Sequence, residues 1–300
     1  MNVLLSIVTQ LLHMAVVVVC APLLTGMVGT LGERLAGREP PPVLRPWREV
    51  LHLFRKQPIR AEGASVVSSL TPLLSVIVAA SIAFLIPSFA LGMVSAPLAD
   101  MLTLAALFAL GRILLVLAAM DSGTGTGGVA AAETTNLAMV AEPALLLGVF
   151  GLALLAGGSN LDTVLATRLD GLLPPNPAVW LAIAALALLG WADREGPPID
   201  AAFSATDLAL LRIADQFRLL AWCDLIGALA LPFGMAAADA GPLSWGIGLL
   251  AWVGRLLLAA AILAVARATG SSFRVRTILA LALALCGMAA VLGLTGGDPT

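Results

Sequence analysis

Four ionisable side chains interrupt long apolar stretches of this sequence, namely Arg112, Glu142, Asp224 and Arg255. A charge at the middle of a lipid bilayer costs roughly 2.5–3.5 kcal/mol on insertion scales, so such a side chain is expected to face protein or water. Two kinds of chemistry fit this set. Buried acids can pass protons or ions through a membrane, and an acid and an arginine can form an ion pair that holds two helices together.

Three of these side chains share one depth. Arg112, Glu142 and Asp224 each lie about seven residues, or about 10 Å, from the same end of their predicted helices. Arg255 lies nearer the middle of its helix. This arrangement predicts a proton or ion path at that level. The alternative is an ion-pair staple, in which Arg112 or Arg255 holds Glu142 or Asp224.

Two further acids belong to the predicted path, at its mouth. Asp121 and Glu133 flank a glycine-rich segment at 120–135, between the helices that carry Arg112 and Glu142. Glu133 and Glu142 are about 13 Å apart along a helix, so water or other side chains must bridge them. Pro143, which follows Glu142 directly, frees a backbone carbonyl one turn back and can bend the helix there.

The composition places these residues in a membrane. The chain is 60% hydrophobic and 11% charged, with a mean hydropathy of +1.02, whereas globular domains are about 25% charged. There are too few polar side chains to cover a surface in water, so lipid must be the solvent. A net charge of −2 argues against nucleic acid as a partner, and the apolar content excludes disorder.

Eight apolar stretches are long enough to cross a bilayer, for which about 20 residues are needed. They are 3–31, 65–90, 98–119, 136–158, 176–192, 216–237, 243–266 and 274–295. The predicted fold is therefore all-α. It is a single integral membrane domain over residues 1–300, a polytopic bundle of about eight transmembrane helices with one cytoplasmic amphipathic helix.

The basic residues predict which connections are cytoplasmic, because Lys and Arg accumulate on that side. Most of the 16 Lys and Arg residues fall at 32–64, at 193–215 and around the last connection, which share one side in an eight-helix topology. These connections and the glycine-rich loop at 120–135 are predicted to be cytoplasmic. Both termini are then on the outer side of the cell inner membrane.

Residues 43–57 of the basic loop predict the amphipathic helix. Apolar residues recur there at three- and four-residue spacing, and charged residues take the opposite side. Such a helix is typical of a lipid anchor at the membrane surface. The alternative is a docking surface for a soluble partner. The candidate docking cations of this loop are Arg34, Arg38, Arg45, Arg48, Arg55 and Lys56.

The sequence offers no site for covalent or redox chemistry. Cys20, Cys223 and Cys286 stand singly, so the ligand spacing of zinc and iron–sulfur sites is missing. His13 and His52 are too far apart for a haem pair. No Ser–His–Asp set or paired catalytic carboxylates are present. We expect a chain without its own metal, redox cofactor or catalytic residues.

Three segments resemble a known family. Residues 32–57, GERLAGREPPPVLRPWREVLHLFRKQ, resemble the first cytoplasmic loop of the complex I subunit 1 family. Residues 120–147 resemble the membrane subunit of formate hydrogenlyase and related energy-converting hydrogenases, with the acid Glu133 and the run Ala141–Leu146. Residues 271–285 are similar to the start of that family's final helix. The resemblance covers nearly the whole chain.

This resemblance implies a heel subunit, which joins a peripheral redox arm to antiporter-like membrane subunits. Its partners are then hydrogenase-like or complex I-like redox subunits, docked on the basic loop. Glu133 and Glu142 match the family's acids at the entry of an ion path. The connection at 193–215 departs from the family because it is shorter, and Arg212 stands where an acid is expected. The alternatives are an ion-translocating subunit without redox coupling, a quinone-site protein like NADH-quinone oxidoreductase subunit 1, and a scaffold without a conducting route.

Overall fold

The computed structural model describes residues 2–57, 65–170, 177–194, 203–268 and 275–295. Within these ranges the chain forms eight long helices and two short ones. In chain order they are α1 (Asn2–Leu35), α2 (Arg45–Phe54), α3 (Val66–Leu85), α4 (Met101–Asp121), α5 (Gly125–Ala156), α6 (Leu161–Leu169), α7 (Pro177–Arg194), α8 (Ala205–Ala230), α9 (Pro242–Ala268) and α10 (Val275–Thr295).

The long helices pack into one bundle in the membrane. Seven of those in the described ranges are long and apolar enough to cross a membrane by length and composition, namely α1, α3, α4, α5, α7, α9 and α10. One group forms where α5 packs against α4, α7 and α10, and another where α1 and α3 pack against α8. The prediction of an all-α polytopic membrane bundle is confirmed.

Helix α8 is the long helix that composition alone does not identify as a membrane span. It carries five charged residues, namely Asp207, Arg212, Asp215, Arg218 and Asp224. Nevertheless, 16 of its 26 residues are buried, because it packs against α1, α2, α3 and α7. A helix in the interior of a membrane bundle can carry charged side chains when neighbouring helices supply partners for them.

The boundaries of α8 differ from the sequence prediction. The sixth stretch was expected at 216–237, after a loop at 193–215, but helix continues to Arg194 and starts again at Ala205. Residues 195–202 of the expected loop lie outside the described residues, as do 58–64 of the basic loop. The helix ends at Ala230 because Pro232 follows, and a residue before proline avoids the helical conformation.

The glycine-rich segment at 120–135 is not the loop that the sequence predicted. Helix α5 already begins at Gly125, so only Ser122–Thr124 separate it from α4. The side chain of Thr124 accepts a hydrogen bond from the backbone N–H of Gly127 and caps the helix. A Cβ at Gly127 would lie 2.4 Å from the carbonyl oxygen of Ala119, so this tight turn requires glycine there. The alanines that follow favour helix.

Short strands and polar helix caps lie at the opposite end of the bundle. Strands β1 (Ala90–Leu91) and β2 (Ala236–Ala237) pair in parallel and tie the segments that follow α3 and α8. Asp100 accepts a hydrogen bond from the backbone N–H of Leu102 at 2.8 Å and caps α4. The hydroxyl of Ser159 also donates to Asp100, which holds the pKa of that carboxyl below its usual value.

Helix α2 confirms the helix expected at 43–57 and lies against α1 and α8. Its Val50 is buried, whereas Leu51 and Phe54 are exposed. The chain leading into α2 crosses α1 closely. The hydroxyl of Thr30 donates to the carbonyl of Pro41 at 2.8 Å. A Cβ on Gly26 would lie 1.9 Å from the carbonyl oxygen of Val43, so the crossing depends on glycine.

We expect Gly26→Ala to destabilise the protein by about 1–3 kcal/mol, because overpacking a close contact forces the backbone to move. Gly29→Ala, in the same helix, is the matched control, since a Cβ there meets nothing within 4 Å. It should be neutral or stabilising, because alanine favours helix over glycine by about 1 kcal/mol. Thermal unfolding of both variants in detergent tests this. Equal midpoints would contradict the close crossing.

Candidate functional site

A carboxylate shared by two arginines lies at the last turn of α7. Oδ1 of Asp193 is 3.4 Å from Nη1 of Arg112 on α4, and Oδ2 is 3.2 Å from Nε of Arg218 on α8. The indole N–H of Trp222 also donates to Oδ2 at 3.2 Å, and the Trp222 ring stacks on Phe108 at 4.3 Å. The Asp193 side chain is 7% exposed. Burial and three donors fix this carboxylate in place.

Each arginine also contacts a second acid. Nε of Arg112 lies 3.7 Å from Oε1 of Glu142 on α5, and Nη2 of Arg218 lies 3.8 Å from Oδ1 of Asp215. Acids and arginines therefore alternate across four helices in the order Asp215, Arg218, Asp193, Arg112 and Glu142. We call these five residues the Asp193 cluster. The two end acids are partly exposed, with 43% of the Asp215 side chain and 37% of the Glu142 side chain accessible.

A cavity of about 280 Å³ lies beside the Asp193 cluster, between α3, α4, α5, α7, α8 and α10. Arg112, Asp193, Asp215 and Arg218 line it, together with Ser75 and apolar side chains. Liquid water occupies about 30 Å³ per molecule, so a space of this size can hold several waters. Water in it can join groups that are too far apart for direct hydrogen bonds.

A second polar group lies further along α8. The indole N–H of Trp252 donates to Asp224, and both residues are buried. Arg255 donates to the carbonyl of Leu231 at 3.2 Å and to that of Ser88. The hydroxyl of Ser88 hydrogen-bonds Nδ1 of His13 at 2.7 Å. We call His13, Ser88, Asp224, Trp252 and Arg255 the Asp224 cluster.

Arg255 and Asp224 are neighbours without a direct ion pair within the described part of the chain. The stem of Arg255 packs 3.7 Å from the Cβ position of Gly227, one turn after Asp224. Its guanidinium turns to Ser88 and Leu231, which follow the ends of α3 and α8. The carbonyl of Leu231 lies at the C-terminal end of α8, where the helix dipole places partial negative charge, so it attracts this cation.

The residues predicted for the path thus separate into groups. Arg112 and Glu142 are together in the Asp193 cluster, and Asp224 and Arg255 are in the Asp224 cluster. Asp121 lies elsewhere, because it accepts hydrogen bonds from the backbone N–H groups of Ser65 and Ser68, each at 3.0 Å, at the start of α3. Glu133 is exposed on α5.

Sequence reasoning missed Asp193 and Arg218, the middle of the Asp193 cluster. Asp193 falls in the predicted connection at 193–215, and the prediction groups Arg218 with the basic residues of that connection although it stands at the start of the sixth stretch. One signal was available. Arg218 lies inside the sixth predicted stretch, 216–237, so it needed a partner at its own depth.

The six candidate docking cations are all exposed, which leaves them accessible to a partner or to lipid. Arg38 pairs with Glu33 at 2.5 Å. The set comprises Arg34, Arg38, Arg45, Arg48, Arg55 and Lys56, and we call it the basic segment.

In the described ranges, no three His, Cys, Asp or Glu side chains come close enough to hold a metal ion.

These features define a class: a polytopic membrane protein whose helices enclose paired charges. Residues 2–295 match the model of the NADH dehydrogenase family. The chain therefore belongs to that family, which confirms the resemblance to complex I subunit 1.

Two curated relatives and one solved structure extend this assignment. The chain is 29% identical to formate hydrogenlyase subunit 4 of Escherichia coli (strain K12) over 203 residues, which are 68% of this chain and 66% of that relative, just under two thirds of its length. It is 26% identical to hydrogenase-4 component C of the same organism over 243 residues, 77% of each chain. A chain of the membrane-bound sulfane sulfur reductase, an archaeal respiratory membrane complex, has the same fold, with a TM-score of 0.73 and 16% identity over 98% of this chain and 100% of that one.

We expect Asp193→Asn to destabilise the protein strongly, because it leaves Arg112 and Arg218 without their shared carboxylate. Removing one partner of a buried ion pair costs about 3–5 kcal/mol. Asp215→Asn is the matched control, since its side chain is 43% exposed and such pairs contribute about 0–1 kcal/mol. Unfolding in detergent, followed by tryptophan fluorescence, measures both. Equal losses for the two variants would show that Asp193 is not the centre of the cluster.

Proposed function

We propose that this chain is the membrane heel subunit of a hydrogenase-type respiratory complex. In this role it docks a peripheral redox arm and couples electron transfer in that arm to proton or ion translocation. The Asp193 cluster is the observation that carries the proposal, because it places alternating acids and bases inside a membrane bundle beside a cavity. Membership of the NADH dehydrogenase family and similarity to components of formate hydrogenlyase and hydrogenase-4 support it.

The Asp193 cluster can pass a change of charge from one end to the other. A proton that neutralises Asp215 weakens its contact with Arg218, and Arg218 then binds Asp193 more closely. Asp193 in turn loosens its hold on Arg112, which moves towards Glu142. Every step exchanges one ion pair for another, so no charge is left without a partner in the low-dielectric interior, where this would be costly. The redox arm supplies the initial change of charge.

The proposed path enters beside Glu133 and continues to Glu142. Both lie on α5, about 13 Å apart, so water connects them. Asp121 holds the start of α3 at the same end of the bundle. Asp224 and Arg255 form the inner part of the path, about 13 Å further along α8 from Asp215. Water in the cavity beside the Asp193 cluster supplies part of the connection.

The basic segment is the proposed docking face for the arm. Its cations are exposed, and α2 packs on α8, the helix that carries two of the five cluster residues. Movement of a docked arm therefore has a short mechanical route to Arg218 and Asp215. In this proposal the basic connections face the cytoplasm, both termini face the outer side, and antiporter-like membrane subunits take the ion further.

We predict that Glu142→Gln keeps the protein in the membrane but abolishes coupled pumping. Arg112 retains Asp193 as a partner, so the fold survives, whereas the end of the Asp193 cluster can no longer carry a charge. The measurement is proton uptake by vesicles that contain the intact complex. Asp239→Asn, an exposed acid in the segment between α8 and α9, is the control and should pump normally. Unchanged pumping by Glu142→Gln would defeat the proposed path.

We also predict that reversing Arg45, Arg48 and Arg55 to Glu releases the soluble arm, because three attractive contacts become repulsive. Copurification of the arm at moderate salt measures this. Reversal of the exposed Arg267 and Arg276 to Glu is the control, and the arm should stay bound. If the triple variant still retains the arm, the docking role is wrong. Ion transport that continues after the arm is removed would instead favour a subunit without redox coupling.

A further inference from the structure

The wall of the cavity beside the Asp193 cluster carries buried hydrogen-bond donors that have no acceptor among the described residues. The Ser75 hydroxyl, Nε and Nη2 of Arg112, and Nη1 of Arg194 are all buried without a hydrogen-bond partner in the described part of the chain. Ser75, Arg112 and Arg194 all line the cavity. Nε of Arg112 is 3.7 Å from Glu142, which is too long for a hydrogen bond. By contrast, both carboxylate oxygens of Asp193 already have donors.

This imbalance favours an occupant that accepts hydrogen bonds and carries negative charge. Buried donors without partners are costly, and more so when they are charged. Water can accept from some of them, but each water also brings two donors that need acceptors of their own. A phosphate or carboxylate group brings acceptors only, and it matches the planar fork of a guanidinium. Four arginines and two aspartates line the cavity, so its wall carries more positive than negative charge.

Much of the remaining cavity wall is apolar, which places a second requirement on the occupant. Val78, Ile82, Phe108, Leu115 and Leu189 line the same space. Its volume of about 280 Å³ is just below the range of small-molecule sites, roughly 300–1,000 Å³. A free inorganic anion would leave these apolar side chains without contacts. A group with an anionic head and a hydrocarbon tail would satisfy both parts of the wall.

We propose that this cavity binds an anionic amphiphile whose phosphate or carboxylate group accepts hydrogen bonds from Arg112 and Ser75. The hydrocarbon part lies along the apolar wall formed by α3, α4 and α7. The proposal that the cavity binds this amphiphile does not depend on ion pumping. The regulatory effect of binding does rest on the proposed function, because an anion on Arg112 competes with Glu142 for that guanidinium and thereby regulates the Asp193 cluster.

The experiment measures binding to the full chain, purified in a neutral detergent, by native mass spectrometry. Dioctanoyl phosphatidic acid is the probe. Dioctanoylglycerol has the same tails without the phosphate, and inorganic phosphate has the charge without the tails. We expect one phosphatidic acid per chain and little binding of the other two. Equal binding of dioctanoylglycerol overturns the anion site, and equal binding of inorganic phosphate overturns the amphiphile. Absence of all three shows that the cavity holds water only.

Variants then locate the probe. Arg112→Gln should weaken phosphatidic acid binding on the order of tenfold, equivalent to about 1.4 kcal/mol. The exposed Arg276→Gln makes the same change of charge and should have no effect. Ser75→Val provides an independent variant that is expected to fold, because its hydroxyl has no partner to lose, and it too should weaken binding. Binding that neither Arg112→Gln nor Ser75→Val weakens overturns the proposal. The pumping assay of Glu142→Gln is separate, so each proposal can fail alone.

Discussion

The shared carboxylate of Asp193 is the contact on which the centre of this bundle depends. Two arginines from different helices need a partner because an unpaired guanidinium inside a membrane bundle is costly. Asp193 satisfies both at once, with 3.4 Å to Arg112 and 3.2 Å to Arg218. It thereby fixes the mutual position of α4, α7 and α8. The stacked rings of Trp222 and Phe108 fill the adjoining space, and the indole N–H of Trp222 donates a further hydrogen bond to the same carboxylate.

Helix α8 connects the two polar clusters. Arg218 and Asp215 belong to the first, and Asp224 to the second. These charges make α8 a poor transmembrane helix by composition, yet most of its surface is covered by α1, α2, α3 and α7. A helix at the lipid boundary needs apolar residues on the side that meets lipid, whereas a central helix needs only partners for its charges at the right depth. In the proposed path, α8 is the single element through which a change of charge in one cluster reaches the other.

The sequence predicted the fold well and the centre of the site poorly, for a common physical reason. Long apolar stretches identify helices that face lipid, so seven predicted stretches overlap the seven apolar helices of the described ranges, although α5 begins at Gly125 and not near 136. Charged residues end such stretches, so Asp193 falls in a predicted connection and Arg218 is grouped with the basic residues of that connection. Whether a charge is solvated by water or by an arginine on another helix depends on tertiary contacts, which hydropathy does not contain. The proximity of Arg112 and Glu142 was among the expected pairings because both interrupt apolar spans at one depth.

The geometry of the Asp193 cluster supports the proposed responsive network over a simple staple. A staple needs one acid for one base, with both buried and close. Here each arginine contacts two acids, and the contacts loosen outward, from 3.2 and 3.4 Å at Asp193 to 3.7 and 3.8 Å at Glu142 and Asp215. The outer acids are partly exposed, whereas Asp193 is buried. An arginine between two carboxylates can shift towards either without losing a partner, and the proposed coupling uses this freedom to give the cluster two arrangements. Elements with two such arrangements are the ones that conformational coupling requires.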